Sequence, residues 1–182
     1  MFKTLVPNEK LRNLIEWLMA VLLAVLLFFF LRAFLLQTAH VVGNSMEPTL
    51  NHGDYVLLSK AGYIFSDPMP GDIVAFPYQQ NPSEYYIKRV IGCPGDVIDF
   101  EDSHFIINGV PLNDGFSDAD IISQGDIRYP LTVEDGLYFV LGDNRNGSKD
   151  SRYHSVGCVP KAQMLGKVVF RTMPFRLIGP VK

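Results

Sequence analysis

The sequence predicts an all-β domain of short antiparallel strands, preceded by one N-terminal transmembrane α-helix. Three observations predict it. An apolar run from Trp17 to Leu31 is unbroken. Beyond it, brief β-branched and aromatic stretches are separated by turn residues. No helix-period pattern of good length occurs after residue 36.

The helix comes first. Leu14-Ile15 extend the run on one side, and Ala33 to Leu36 extend it on the other, past Arg32. A span needs about 20 mostly apolar residues. The count is met when Arg32 snorkels its charge to the far interface along its aliphatic stem. Trp17 and Glu16 suit the near interface. The run exceeds the about 7–15 apolar residues of a cleavable secretory signal, and Gln37-Thr38-Ala39 is a poor small-x-small site. The anchor is therefore read as retained. Lys3, Lys10 and Arg12 precede the span, whereas only Arg32 lies at its far end. The positive-inside bias predicts residues 1–12 in the cytoplasm, a span over 13–36, and residues 37–182 on the extracytoplasmic side of the cell membrane.

The strands follow in order. Tyr55 to Leu58, Asp72 to Phe76, Tyr85 to Ile91, Leu137 to Leu141 and Lys167 to Phe170 are the candidates. Asn51-His52-Gly53-Asp54, Pro70-Gly71, Pro94-Gly95-Asp96 and Gly142-Asp143 punctuate them. Phe105-Ile106-Ile107 before Asn108-Gly109 reads as a hairpin, because Asn-Gly suits the positive φ angles of a type I′ turn. Residues 113–135 are weakly patterned and read as a long surface excursion. The whole stretch 97–140 is a hairpin-containing excursion from one β-rich domain over 37–182.

Composition narrows the function. A formal net charge of −3 gives no electrostatic footprint for nucleic acid. Cys93 and Cys158 lack metal-ligand spacing and read as small buried hydrophobes. In an oxidising compartment a disulfide between them is chemically allowed, but sequence does not place their Cα atoms. No metal or cofactor is implied.

The chemistry starts from Ser45. It lies nine residues after Leu36, so the tether spans at most roughly 30 Å. Any chemistry there happens beside lipid. A serine hydroxyl needs a base to become a nucleophile. The four histidines, His40, His52, His104 and His154, read as surface or structural groups, and nothing in the sequence marks a carboxylate for a triad. A lysine serves as base only when neutral, which requires burial. In Tyr85 to Ile91, Lys88 shares a strand face with Tyr86 and Val90, while Arg89 points the other way. Lys60 is an equal rival on periodicity, and Lys149 sits in a polar loop and should be charged. The block from Gly142 to Arg152 is dense in turn formers and opposite charges. It reads either as a solvated loop held by Asp–Arg pairs or as a loop packing polar groups around a site.

Five ordered blocks settle the alternatives by resemblance. They are Ser45 to Leu50, Gly53 to Val56, Gly71 to Phe76, Tyr86 to Asp96, and Gly142 to Arg152. Together, behind an N-terminal anchor, they resemble the bacterial type I signal peptidases (leader peptidases), which use a serine–lysine dyad. The resemblance covers nearly the whole chain. It implies Ser45 as nucleophile and Lys88 as general base. It implies Ser148 hydrogen-bonded to Lys88, and bracing ion pairs Arg89–Asp143 and Asp150–Arg152. The oxyanion would rest on the Ser45 backbone N–H. In some relatives a serine or threonine two residues before the nucleophile supplies a second donor; here Gly43 stands there. The implied activity is removal of signal peptides from exported preproteins, with small residues at −3 and −1, through an acyl-enzyme. The implied partners are those preproteins and the lipid bilayer, with the secretion machinery as a candidate. Two other classes fit parts of the pattern. A self-cleaving Ser–Lys protease of the repressor or mutagenesis type would be soluble, and a non-enzymatic membrane-anchored β module would need none of the polar blocks.

Overall fold

The computed structural model describes residues 9–78, 81–116 and 121–181, without the side chains of 31–34, 64–65 and 81–84. Lys3 and the Arg32 side chain, on which the orientation and snorkelling expectations rest, lie outside the described residues. The chain divides into two compact units, residues 1–36 and 37–182.

The first unit is one helix, α1 (Glu9–Phe34). It starts a little before the expected span, with Glu9 in its first turn, where the helix dipole favours an acid. Its 26 residues run about 39 Å at 1.5 Å each, more than the roughly 30 Å of a bilayer's hydrocarbon. From Leu14 to Phe30 its large apolar side chains are exposed. By length and composition it is able to cross a membrane.

The second unit is built on strands β1 (Leu36–His40), β2 (Tyr55–Ser59), β3 (Ile73–Tyr78) and β4 (Asn81–Gly92), with a single helical turn, α2 (Gly62–Phe65), before β3. A second group follows: β5 (Val97–Glu101), β6 (His104–Ile107), β7 (Val110–Pro111) and β8 (Leu131–Thr132). The chain then returns through β9 (Leu137–Leu141), β10 (Val159–Pro160), β11 (Gly166–Met173) and β12 (Gly179–Pro180). The larger sheet has the order β1-β2-β11-β3-β4-β9-β10, with β12 on β11, and the smaller has β7-β6-β5-β8. From β2 onward the pairings are antiparallel. This is the antiparallel all-β class that the sequence predicts.

β3 explains the packing. Its residues Ile73 to Phe76 are apolar without alternation, which suits a strand buried on both faces. Ile73 and Ala75 enter one core with Met46, Leu50, Val56 and Ile87. Val74 and Phe76 enter another with Val90, Tyr138 and Val140. A third core, around Phe105 and Phe139, joins the two sheets. Gly92 sits where they meet: a Cβ there would lie 2.6 Å from Ile98 Cδ1, so glycine permits the close approach.

Several elements exceed the sequence reading. β1 looks like the tail of the anchor, and β8, β10 and β12 are too short to carry a period-2 signal. β4 and β11 run longer than their apolar stretches because neighbouring strands supply backbone partners. Cys93 and Cys158 are free, half-buried thiols, and burial pushes both up to about 11.

Candidate active site

The loop between β1 and β2 carries Ser45. Met46 and Leu50 are buried in the first core and hold the loop down. Leu50 N–H donates to the Met46 carbonyl at 2.8 Å, and Glu47 N–H donates to the Asn44 carbonyl at 3.1 Å. The start of the loop is laced to its end, since Val41 N–H reaches the Asp54 carbonyl at 2.8 Å and Gly53 N–H reaches the Val41 carbonyl at 2.9 Å. With both neighbours of this turn pinned, Ser45 lines a cleft of about 360 Å³, together with Gly43, Asn44, Tyr86, Lys88 and Lys149.

Lys88 comes from β4, opposite Val74 of β3. It is only 3% exposed. Its Nζ donates to Ser45 Oγ at 2.7 Å and to the Ile87 carbonyl at 3.0 Å. Burial lowers its pKa to about 8, partly offset by Asp150 and Asp143 and reinforced by Arg152. The Tyr86 ring lies 4.9 Å from Nζ and favours the charged form. Burial outweighs these attractions because both nearby carboxylates are already committed to arginines.

Those commitments are geometric. On the opposite strand face, Arg89 Nε and Nη2 each reach Asp143 at 2.8 Å, a bidentate pair. Arg89 Nη1 also donates to the Gly71 carbonyl at 2.8 Å. Arg152 holds Asp150 the same way, at 2.7 and 2.9 Å. Asp150 in turn accepts Gly142 N–H at 3.1 Å. Asn144 ties this loop to the Ser45 turn: its N–H donates to the Ser45 carbonyl at 3.1 Å and its Nδ2 to the Asn44 carbonyl at 3.2 Å. Gly142 is required at the contact, since a Cβ there would lie 2.2 Å from Ser148 Oγ and 2.4 Å from the Ser45 carbonyl oxygen.

The structure thus brings Ser45 and Lys88 within hydrogen-bond distance and sets the two expected ion pairs around them. Ser148 differs from expectation. It is buried beside Gly142, but its Oγ has no hydrogen-bond partner, so the expected bond to Lys88 is not formed. The Lys88 amine is turned instead to Ser45 and to its own strand's carbonyl. The Ser45 N–H has no hydrogen-bond partner among the described residues.

None of the rivals hydrogen-bonds Ser45 among the described residues. Lys60 lines a different cleft, with Tyr63 and Lys161. Lys149 is exposed and donates to Tyr78 Oη at 3.2 Å. No histidine hydrogen-bonds Ser45 among the described residues. His40 lines the cleft, His52 accepts the Gly43 N–H, His104 begins β6, and His154 lies on an exposed turn. Among the described residues no group of three or more His, Cys, Asp or Glu is placed to hold a metal ion.

Sequence reasoning missed two contributors, Asp114 and Phe116. Asp114 pairs with Arg145 in the Gly142–Arg152 block. The Phe116 ring lies 4.9 Å from the Arg89 guanidinium. Both come from the excursion, whose weak pattern carried no signal of a role at the site.

The cleft extends along β4. A neighbouring groove of about 520 Å³ shares His40, Val42, Tyr85, Tyr86 and Ile87 and continues to Gln37 and Ala39 of β1. β4 pairs with β9 only from Arg89 onward, and β1 lies at the end of its sheet. The groove therefore runs between an edge strand and the half of β4 that β9 leaves uncovered.

The family described as "Signal peptidase, peptidase S26" matches residues 14–173. A signal peptidase I of Leptolyngbya laminosa is 37% identical over 91% of this chain and 83% of its own. A signal peptidase I of Bacillus licheniformis is 34% identical over 94% of this chain and 95% of its own. A crystal structure of a signal peptidase I from Enterococcus faecalis covers 57% of this chain and 97% of its own, at 34% identity and a TM-score of 0.48.

Proposed function

The chain belongs to the signal peptidase family, peptidase S26, and on that premise we propose that it is a membrane-anchored serine endopeptidase that removes signal peptides from exported preproteins with a Ser45–Lys88 dyad. One observation carries the proposal. A lysine amine, buried and lowered to about 8, lies 2.7 Å from a serine hydroxyl in an open cleft.

The reaction follows from those atoms. With a pKa near 8, about a tenth of Lys88 is neutral at pH 7. The neutral amine takes the proton of Ser45 Oγ, and Oγ attacks the scissile carbonyl carbon. The oxyanion that forms faces the Ser45 N–H, a donor typically worth about 3 kcal/mol in such sites. The C–N bond breaks and the leaving amine collects the proton from Lys88. The acyl-enzyme is then hydrolysed by a water that Lys88 deprotonates. Ser148 orients the amine in the reacting complex, where catalytic hydrogen bonds commonly tighten. Arg89–Asp143 and Asp150–Arg152 keep the surrounding charge balanced.

The substrate adds as a strand in the groove between β1 and β4, with main-chain hydrogen bonds for affinity. Alternate side chains then face the cleft wall, where Val42, Tyr86 and Ile87 leave shallow room for small residues at −3 and −1. Helix α1 holds the enzyme in the bilayer with the N-terminus cytoplasmic and residues 37–182 extracytoplasmic. The bilayer and the preproteins are its partners, and the secretion machinery delivers the substrate.

Cleavage of a signal-peptide-bearing preprotein by the full chain in detergent tests the dyad. Ser45→Ala and Lys88→Ala should each lower kcat by a factor of about 10³ or more. Near-full cleavage by either variant overturns the proposal, and no cleavage by the unaltered chain at any pH favours a non-enzymatic module.

A further inference from the structure

We infer that His52 is a positioning residue for this reaction: its neutral imidazole fastens the backbone two residues ahead of the nucleophile, and protonation of the ring unfastens it. The inference rests on Ser45 as nucleophile.

Gly43 N–H donates to His52 Nδ1 at 3.1 Å. This is the one hydrogen bond that Gly43 makes among the described residues. Gly43 has φ +87° and open space where a Cβ would lie, so no side chain fixes it. Val42 beside it is 75% exposed. The backbone is pinned before this point at Val41 and after it at Asn44 and Ser45. Between those pins, His52 supplies the tie. The same bond commits the Gly43 amide, which therefore cannot serve as a second oxyanion donor.

An acceptor Nδ1 requires the proton on Nε2. A second proton, on Nδ1, would set N–H against N–H at that distance and break the bond. The groups around the ring are few. His40 of β1 has its ring centroid 6.3 Å away and lies tilted against the Tyr55 ring of β2, centroids 4.7 Å apart. Asp54, in the same turn, accepts Asn51 N–H at 3.0 Å and lies 3.0 Å from Arg171 of β11. With its tie cut, the Val42–Gly43 segment gains freedom in the cleft wall, and displacements near 1 Å at such a place cost about 10²-fold in rate.

The consequence is a second proton on the acid side. Lys88 alone gives a log(kcat/KM) profile of slope 1 below its pKa. Protonation of His52 on that limb steepens the slope above 1. Three profiles, on the full chain in detergent with a signal-peptide-bearing peptide from pH 5 to 10, test this. The unaltered chain should bend from slope 1 to a steeper slope. His52→Asn, whose Oδ1 can take the Gly43 N–H but does not titrate, should keep slope 1 throughout and a plateau within about threefold. His52→Leu should lose about tenfold or more in kcat at the plateau with KM little changed. A uniform slope of 1 in the unaltered chain, a steepened slope persisting in His52→Asn, or a full kcat in His52→Leu overturns the inference. Ser45→Ala and Lys88→Ala, run alongside, isolate failure of the dyad itself: cleavage surviving in either removes the premise, whatever His52 does.

Discussion

Lys88 is 3% exposed, and the water that would hold its charge is replaced by Tyr86, Val74 and the Ile87 carbonyl. The sign of its effect on stability follows. Its pKa is about 8 in the folded chain and 10.5 when free. Below pH 8 both states carry the proton, and the folded state bears the burial cost. Between 8 and 10.5 the unfolded chain binds more protons, so stability rises with pH across that window. Lys88→Met should therefore stabilise the domain at pH 7, by about 1–3 kcal/mol, and by little at pH 11. Urea unfolding at the two pH values reads the difference; equal stability at pH 7 would remove burial as the cause of the lowered pKa. Activity runs in the same direction, with kcat/KM rising through pH 8 as the amine becomes neutral. Ser148 makes a different pair of expectations. Its buried Oγ has no partner, so Ser148→Ala should leave the midpoint of unfolding unchanged or raise it slightly. It should nonetheless lower kcat at least tenfold, because the reacting amine loses its orienter. A variant with full kcat would reduce Ser148 to packing.

Two elements meet at Gly142: the loop after β1 that carries Ser45 and the loop after β9. Their backbones approach so closely that the Ser45 carbonyl and the Ser148 side chain occupy the space of a Cβ. Backbone cannot swing aside as a flexible side chain does. Gly142→Ala should destabilise the domain by about 2 kcal/mol or more and lower kcat by about 10²-fold, the second through displacement of Ser45. Thermal unfolding and single-turnover kinetics measure the two effects separately. The excursion contributes from outside. Asp114 pairs with Arg145, Phe116 covers Arg89, and Ser123 and Asp126 bond the chain around Arg152 and His154. Asp114→Ala should leave Arg145, itself buried, without that carboxylate, at a cost of about 3 kcal/mol in urea unfolding, whereas a change under 1 kcal/mol would make the contact incidental. The legibility of the site tracks these interactions. Strand periodicity put Lys88 and Arg89 on opposite faces, and five motif blocks assigned their partners. The contacts of Asp114, Phe116, Ser123 and Asp126 were not legible, because they are made by single residues at irregular spacing, and no period records that. β1 was not legible either: Leu-Gln-Thr-Ala-His lacks β-branched density and becomes a strand only because β2 lies beside it.

At the scale of the molecule, the sequence joins a helix able to cross a bilayer to a β domain through very little chain. Only residues 37–44 separate the anchor unit from Ser45, and eight residues reach under about 30 Å even when extended. Under the proposed function a signal peptide's apolar region occupies the same bilayer as α1, so its cleavage site would emerge within that reach. The helix would then act by concentration: confining enzyme and substrate to one membrane would replace a search through solution with a search in two dimensions. The dyad, the ion pairs and the cleft all lie within residues 37–182, and the apolar cores are drawn from the same unit. Removal of residues 1–36 should therefore separate chemistry from delivery. The fragment should cleave a short soluble peptide within about threefold of the full chain's kcat/KM. Against a preprotein embedded in liposomes it should fall by about 10²-fold, and adding detergent, which disperses both partners, should close most of that gap. Equal rates on liposome-embedded preprotein would show that the anchor does no more than locate the enzyme. A fragment inactive on the short peptide yet folded by circular dichroism would show that the helix completes the site.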